Sequence, residues 1–508
     1  MGHLQALDML VILLYGCVLL YVGWWASRRQ ASTEEYFLGG RGMHPFIAGI
    51  SIIATLVSSI SYLASPGEMV KNGPGWMWQM LHAPISFAVI GYLVIPHIMR
   101  SRATSAYALL EARFGTGVRK TTSAMFVLSR IFWMGLVIFT CSFAVATITG
   151  LPVRGVLIAV GIVGTSYTIL GGIRAVMITD VIQFAVLLGG ALITILVISI
   201  KCGGPLAWWP DWDSPALAAL DWPSPEFFTL DPGVRLSVLS VVIYGCSYWI
   251  MTATGDQVVI QRFLSTKNER AARQSFGLSI LGDALIGGVL FLTGMALAGY
   301  YLRFPEMLPD AGLGLADQAD KLFPHFIAAV LPAGLSGLVV SALFAAAMSS
   351  LDSGISSITT VLVSDFRSVF AGDCGSNREE LLRARLIGVA IGVVAIAMSF
   401  AVTCMPGDNL LEITVRVSSV LAAPLFVAFA LAFFTRNTGP GGAWTGILTG
   451  AFLGILLTFW QPIFRVVTGE ESSMSITFIM PLSALGAFAA AVSVSWIGRR
   501  IDAGRPGI

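Results

Sequence analysis

The feature that most constrains this chain is the recurrence of long apolar runs that carry almost no charge. Between Leu7 and Ala26 the single charged residue is Asp8, and comparable runs follow one another along all 508 residues. Charged side chains make up 11% of the chain, against about 25% in soluble domains. About 20 consecutive apolar residues span a bilayer, and in lipid every backbone polar group must be satisfied by a helix or a closed barrel. These runs are continuous rather than alternating, so they predict helices with the lipid bilayer as their solvent. A net charge of +2 gives no reason to expect a nucleic-acid partner.

Thirteen spans are predicted, at 6–26, 45–70, 75–99, 118–149, 152–171, 174–201, 233–262, 269–303, 318–366, 383–404, 408–434, 441–463 and 475–499. The basic residues cluster in alternate connections: Arg28, Arg29 and Arg41 after the first span, Arg100, Arg102, Arg113, Arg119 and Lys120 after the third, Arg499, Arg500 and Arg505 after the last. By the positive-inside rule this places the N-terminus outside and the C-terminus in the cytoplasm, in a plasma or inner membrane. No basic residue precedes the first run, the reverse of a secretory signal's charge order, so that run is read as a retained helix. The six cysteines contain no CxxC pair and the five histidines no metal-ligand spacing, so neither a metal centre nor an enzyme is expected. An external Cys202–Cys404 disulfide stays open. The long loop at 202–232 is rich in Trp, Pro and Asp, and its tryptophans suit the membrane interface. One membrane domain fills residues 1–508.

Against this background the polar residues inside spans stand out, because they are costly in lipid and mark pathways or sites. The densest cluster is AAAMSSLDSGISS, residues 345–357. Ala346, Ser349, Ser350 and Ser353 share one helix face, and Ser357, Thr360 and Ser364 continue it. Hydroxyl oxygens suit hard cations, while a small-residue face also suits close helix packing; spacing alone leaves both readings open. A second segment, SIIATLVSSISYLASPG at 51–67, combines serines with Ser65-Pro66-Gly67 and is expected to unwind, freeing carbonyls such as those of Ala54 and Val57. Unwound carbonyls of broken membrane helices hold Na⁺ or H⁺ in transporters. Asp352 lies off the serine seam; it is open to a cation or to a structural pair with an arginine, the second being favoured and Arg130 a candidate partner. Glu412 and Arg416, four residues apart on one helix, are expected to neutralise each other.

Four motifs then carry a resemblance: EYFLGGRGMHPFIAGISIIATLVSS (35–59), GGIRAVMITDVIQ (171–183), DQVVIQRFLSTKN (256–268) and LSGLVVSALFAAAMSSLDSGISS (335–357). Together they resemble the sodium:solute symporter family. The resemblance implies an all-α membrane fold of the LeuT type: a core of two inverted five-helix repeats, 45–201 and 233–434, with one helix before it and two accessory helices (441–499) after it. It implies Na⁺ as coupling ion, bound by the carbonyls of Ala54, Val57 and Ala346 and the hydroxyls of Ser349 and Ser350. A second sodium site, found in some members, would use Asp180 with Ser350 and Ser353; the alternative for Asp180 is a salt bridge to Arg130 or Arg262.

The positions at which sugar-transporting members carry their sugar ligands are here Ile60, Ser61, Met80, Trp249 and Asp283, so binding of a hexose in that mode is not expected. The candidate solute site comprises Ser58, Ser61, Tyr62, Gln79, His82, Tyr248, Trp249, Thr252 and Asp283. The implied activity is sodium-coupled import of a small polar solute (a sugar, an organic acid or an amino acid; an amine or polyol if Asp283 binds it) by alternating access, in a monomer. The rival readings are a transporter-like solute sensor, for which the short segment after the last span is expected to leave no signalling domain, and a sodium-independent channel.

Overall fold

The computed structural model describes the chain apart from residues 1–3, 28–32, 102, 210–227, 230, 232, 235, 367–376, 404–409, 470–473 and 504–508. Among the described residues the regular structure is helical, with one isolated bridge between Met43 and Thr266. Helix α1 (Ala6–Ser27) leads to the short α2 (Thr33–Leu38), then α3 (Pro45–Leu56) and α4 (Ser59–Asn72). A 3₁₀ stretch, Gly73–His82, continues through α5 (Ala83–Val89), a π turn and α6 (Ile95–Arg100). The short α7 (Ala108–Phe114) precedes two long helices, α8 (Thr116–Thr149) and α9 (Val153–Cys202). After the external loop come α10 (Val238–Gly255), α11 (Gln257–Leu264), α12 (Glu269–Arg303), α13 (Ala319–Ala329) and α14 (Leu335–Asp365). The chain closes with α15 (Asn377–Val402), α16 (Leu410–Phe434), α17 (Pro440–Thr458), α18 (Trp460–Thr468) and α19 (Ile479–Ala503).

Eleven helical segments among the described residues are long and apolar enough to cross a membrane, and Pro45–Leu56 and Val153–Ser166 are shorter apolar segments. These account for the thirteen expected spans, with their limits adjusted. The apolar window of α14 is 89% buried inside the protein, while that of α1 is 17% buried. The serine-rich helix is therefore the centre of the bundle and α1 lies at its periphery.

The interruptions of the helices position the site. Between α3 and α4 the chain is extended at Val57 (φ −81°, ψ 108°) and Ser58 (φ −107°, ψ 177°), and the Ser58 hydroxyl accepts the Ile60 N–H at 3.2 Å. A serine N-cap of this kind starts a new helix without help from the preceding turn. The break therefore falls at 57–58. Pro66 and Gly67, expected to contribute to the unwinding, lie inside α4. There they serve packing: a Cβ on Gly294 of α12 would come within 2.6 Å of the Pro66 carbonyl oxygen, so glycine admits the close contact. A second break of the same form separates α10 from α11 at Asp256 (φ −93°, ψ 117°), whose carboxylate accepts the Val258 N–H at 2.8 Å.

The predicted spans 152–171 and 174–201 form one bent helix, α9, which turns at Gly172 (φ +57°), a conformation that favours glycine. The single span expected at 318–366 is two helices. α13 ends at Ala329, and α14 starts after Gly334 (φ +85°), where Asp8 of α1 accepts the N–H groups of Gly334 and Gly337 at 2.7 and 2.8 Å. Trp208 of the external loop does not face the interface as expected: it is buried, and its indole donates to Ser199 at 2.8 Å. Cys202 is a free buried thiol. Cys404 and the Glu412 side chain lie outside the described residues; Arg416 donates to Gln461 at 3.3 Å.

Candidate functional site

The break at Val57 leaves the last carbonyls of α3 without helical partners, and α14 crosses α3 there. Ser349 Oγ donates to the Ala54 carbonyl at 2.8 Å and lies 3.3 Å from the Ala346 carbonyl. Ser350 Oγ donates to the Thr55 carbonyl at 2.9 Å. Ala54, Ala346, Ser349 and Ser350 are all buried. The structure thus gathers neutral oxygens from two helices into a dry crossing, a donor set suited to a hard monovalent cation. Val57, the fifth expected residue, is the extended residue that ends α3 and belongs to the wall of the adjoining cavity.

One turn further along α14, beside Ser353, Asp180 of α9 meets Arg262 of α11 at 3.0 Å, both fully buried. Ser51 donates to the same carboxylate oxygen at 2.5 Å and accepts from Arg262 Nε at 2.6 Å. Arg262 Nη2 also donates to Thr55 at 2.7 Å and to Ser353 at 2.5 Å. Asp180 and Ser353 do come together as expected, but around a guanidinium, and no bond joins either to Ser350. Of the two readings of Asp180, the structure forms the salt bridge to Arg262. The guanidinium of Arg262 places a positive charge among the oxygens of Asp180, Ser51 and Ser353. Ser357 and Thr360, expected to continue the seam, instead hold Gln261 of α11 at 2.8 and 3.0 Å.

The expected solute residues divide. Ser61, Gln79, Tyr248, Trp249 and Asp283 line one cavity of about 130 Å³ beside the α3–α4 break. Ser58 is spent on the helix cap described above. Tyr62 points the other way, fully buried, with its ring 5.4 Å from Phe323. His82 lies behind the wall, stacked on Trp249 at 5.5 Å, 3.6 Å from Asp283 and within 3.2 Å of Ser86. Thr252 lines a second, smaller cavity of about 70 Å³. Trp76, Trp133, Tyr244 and Thr414 line the first cavity and were not anticipated. No sequence pattern links them, since they come from the 3₁₀ stretch, α8, α10 and α16 in turn. Arg130 does not pair with Asp352; its partner is Asp256, at 3.8 Å.

With this geometry in place, comparison with known proteins is decisive. Residues 36–450 match the family described as "Sodium:solute symporter family". The sodium/sialic acid symporter SiaT of Proteus mirabilis is 25% identical over 470 residues, covering 92% of this chain and 93% of that protein. The human sodium-coupled monocarboxylate transporter 2 is 27% identical over 487 residues, covering 95% and 75%. Among solved structures, a Na⁺-coupled sialic acid symporter in a substrate-bound outward-open state superimposes with a TM-score of 0.80 at 23% identity, covering 97% of this chain and 98% of that one. The chain belongs to the sodium:solute symporter family and has the LeuT-type fold: it is a multi-pass membrane symporter coupled to Na⁺, not an enzyme.

Proposed function

We propose that this protein imports a small polar solute by alternating access, with Na⁺ held by the carbonyls of Ala54, Val57 and Ala346 and the hydroxyls of Ser349 and Ser350. The observation that carries the reading is the position of Val57. Its backbone belongs to the helix break that would ligate the ion, and its residue walls the cavity that would take the solute. An ion that orders the break therefore shapes the solute site, which is what obligatory coupling requires. Ser61, Gln79 and Asp283 supply polar contacts, while Trp76, Tyr244, Tyr248 and Trp249 supply the apolar body expected of a small-molecule pocket.

The core divides in this proposal into 45–201 and 233–434, followed by accessory helices 441–499. The matching breaks, α3–α4 near the start of the first half and α10–α11 near the start of the second, support that division. An odd number of crossings and the distribution of basic residues support an external N-terminus and a cytoplasmic C-terminus. The protein is taken as a functional monomer. Uptake into proteoliposomes with and without a sodium gradient tests the reading: Ser350→Ala raises the sodium concentration for half-maximal uptake, and an unchanged sodium dependence contradicts the site.

A further inference from the structure

A third cavity, of about 520 Å³, lies between α1, the start of α9 and the back of α14, and shares no lining residue with the other two. Its walls follow helical spacing: Gly16 and Leu19 on α1, Gly155 and Ala159 on α9, Phe344 and Met348 on α14. The glycines hold it open, since a Cβ on Gly16 or Gly155 would meet nothing within 4 Å. The α9 wall runs from Gly155 to Val163, about 12 Å at the helical rise, so the cavity is a slot along the helices. Leu13 and Val163 belong to its lining and are 67% and 55% exposed. The slot is therefore continuous with the surface that α1 and α9 present to the bilayer.

Apart from Tyr15 and Cys17, the side chains of the slot are apolar. The Tyr15 hydroxyl is buried beside Gln183 and Asp352, so it turns from the slot towards the polar centre of the protein. A volume of this size without polar partners suits an apolar guest rather than water. A long, dry slot that joins the bilayer surface and carries no charged wall fits a hydrocarbon chain without its headgroup. We propose that the slot binds one acyl chain of a bilayer lipid, and that this chain supports the ion site from behind. Two residues make the link. Met348 walls the slot and precedes Ser349, whose hydroxyl meets the Ala54 carbonyl. Tyr15 walls the slot with its ring and reaches Asp352 with its hydroxyl, one turn along α14 from Met348. A chain in the slot packs α1 and α9 against the helix that carries the serines. By linkage, a chain that favours sodium binding is itself favoured by sodium. The slot assignment is independent of the ion reading above; the link rests on it.

The test uses the full chain in phosphatidylcholine vesicles that contain a phosphatidylcholine with a diazirine in one acyl chain. After irradiation, mass spectrometry locates the labelled residues. Labelling is expected within Ile12–Leu20 and Leu151–Val163, in excess over Leu448 and Phe452 of α17, which are 62% and 63% exposed and report ordinary lipid contact. Gly16→Leu/Gly155→Leu fills the slot and should reduce its labelling to the level of α17, while unchanged labelling of α17 shows that the variant is folded and inserted. Na⁺ in place of K⁺ should lower the probe fraction for half-maximal slot labelling by about 2- to 30-fold, and should not do so in Ser349→Ala/Ser350→Ala. Slot labelling no greater than that of α17, or unchanged in the filled variant, overturns the site. A diazirine sterol that labels the slot in preference to the acyl probe overturns the acyl assignment. Slot labelling indifferent to Na⁺ overturns the link when uptake is sodium-driven, and contradicts the ion reading when it is not.

Discussion

Ser349 and Ser350 are adjacent in sequence, yet they address different carbonyls of α3, those of Ala54 and Thr55. Each contact to a cation ligand is worth about 1.5 kcal/mol, close to tenfold in an equilibrium. Ser349→Ala is accordingly expected to raise the sodium requirement for uptake by about tenfold, measured as the half-saturating sodium concentration. The buried pair behind them makes a separate prediction. Removing one partner of a buried salt bridge costs about 3–5 kcal/mol, because the other charge stays buried. Asp180→Asn and Arg262→Gln should each lower the melting temperature strongly, while the double variant should lose less than the two together. Additive losses in the double variant would show that the pair is not coupled. At this scale the sequence was informative where chemistry repeats with helical spacing, as in 345–357. It was silent where a partner comes from elsewhere. From the sequence both Arg130 and Arg262 are candidates for Asp180, and nothing local separates them. Tyr62 sits one residue from the cavity-lining Ser61, yet a single helical step turns it onto Phe323.

The helix breaks decide more than the helices do. The serine-rich composition of 51–67 indicated that a break belongs there, but the cap of Ser58 set its position, while Pro66 stayed helical because α12 packs against it through Gly294. Composition announces that a helix can break; the cap and its neighbours decide where. The division between α13 and α14 was hidden for a related reason. Both segments are apolar, and the contact that fixes the start of α14 comes from Asp8, more than three hundred positions earlier in the chain. Asp8→Ala removes two hydrogen bonds at the α14 N-terminus and is expected to cost about 1–2 kcal/mol, read as a lower melting temperature in detergent. No change would mean that α1 is not anchored there. At the other end of α14, Asp365 accepts from Arg119 at 2.6 Å, Ser105 at 2.7 Å and Ser123 at 2.5 Å. Arg119 also bonds Glu111. This network ties α7, α8 and α14 together on the side assigned to the cytoplasm. Asp365→Asn should loosen it and increase the reactivity of a cysteine introduced at Ser129, in the wall of the smaller cavity, towards an aqueous thiol reagent. Unchanged reactivity would mean that the network does not hold that side closed.

At the scale of the whole molecule, the membrane and the family were legible because they rest on many residues at once: the charge deficit, the alternation of basic connections and four motifs in order. The solute was not, because its cavity is assembled from side chains of separate helices whose identities have no common pattern. What the fold must deliver is energetic. One charge crossing a potential of 100 mV releases about 2.3 kcal/mol, and a tenfold sodium gradient adds about 1.4 kcal/mol. Together they support an accumulation of roughly 500-fold for each coupled ion with a neutral solute. An anionic solute moving with one Na⁺ carries no net charge, so the electrical part is lost and about tenfold remains. The most direct measurement of the central claim is therefore uptake into proteoliposomes under an imposed sodium gradient, for the native protein and for Ser349→Ala/Ser350→Ala. The account predicts concentrative uptake that collapses when K⁺ replaces Na⁺, and a sodium requirement shifted far upward in the double variant. Equal accumulation without sodium, or a double variant with native sodium dependence, would contradict it.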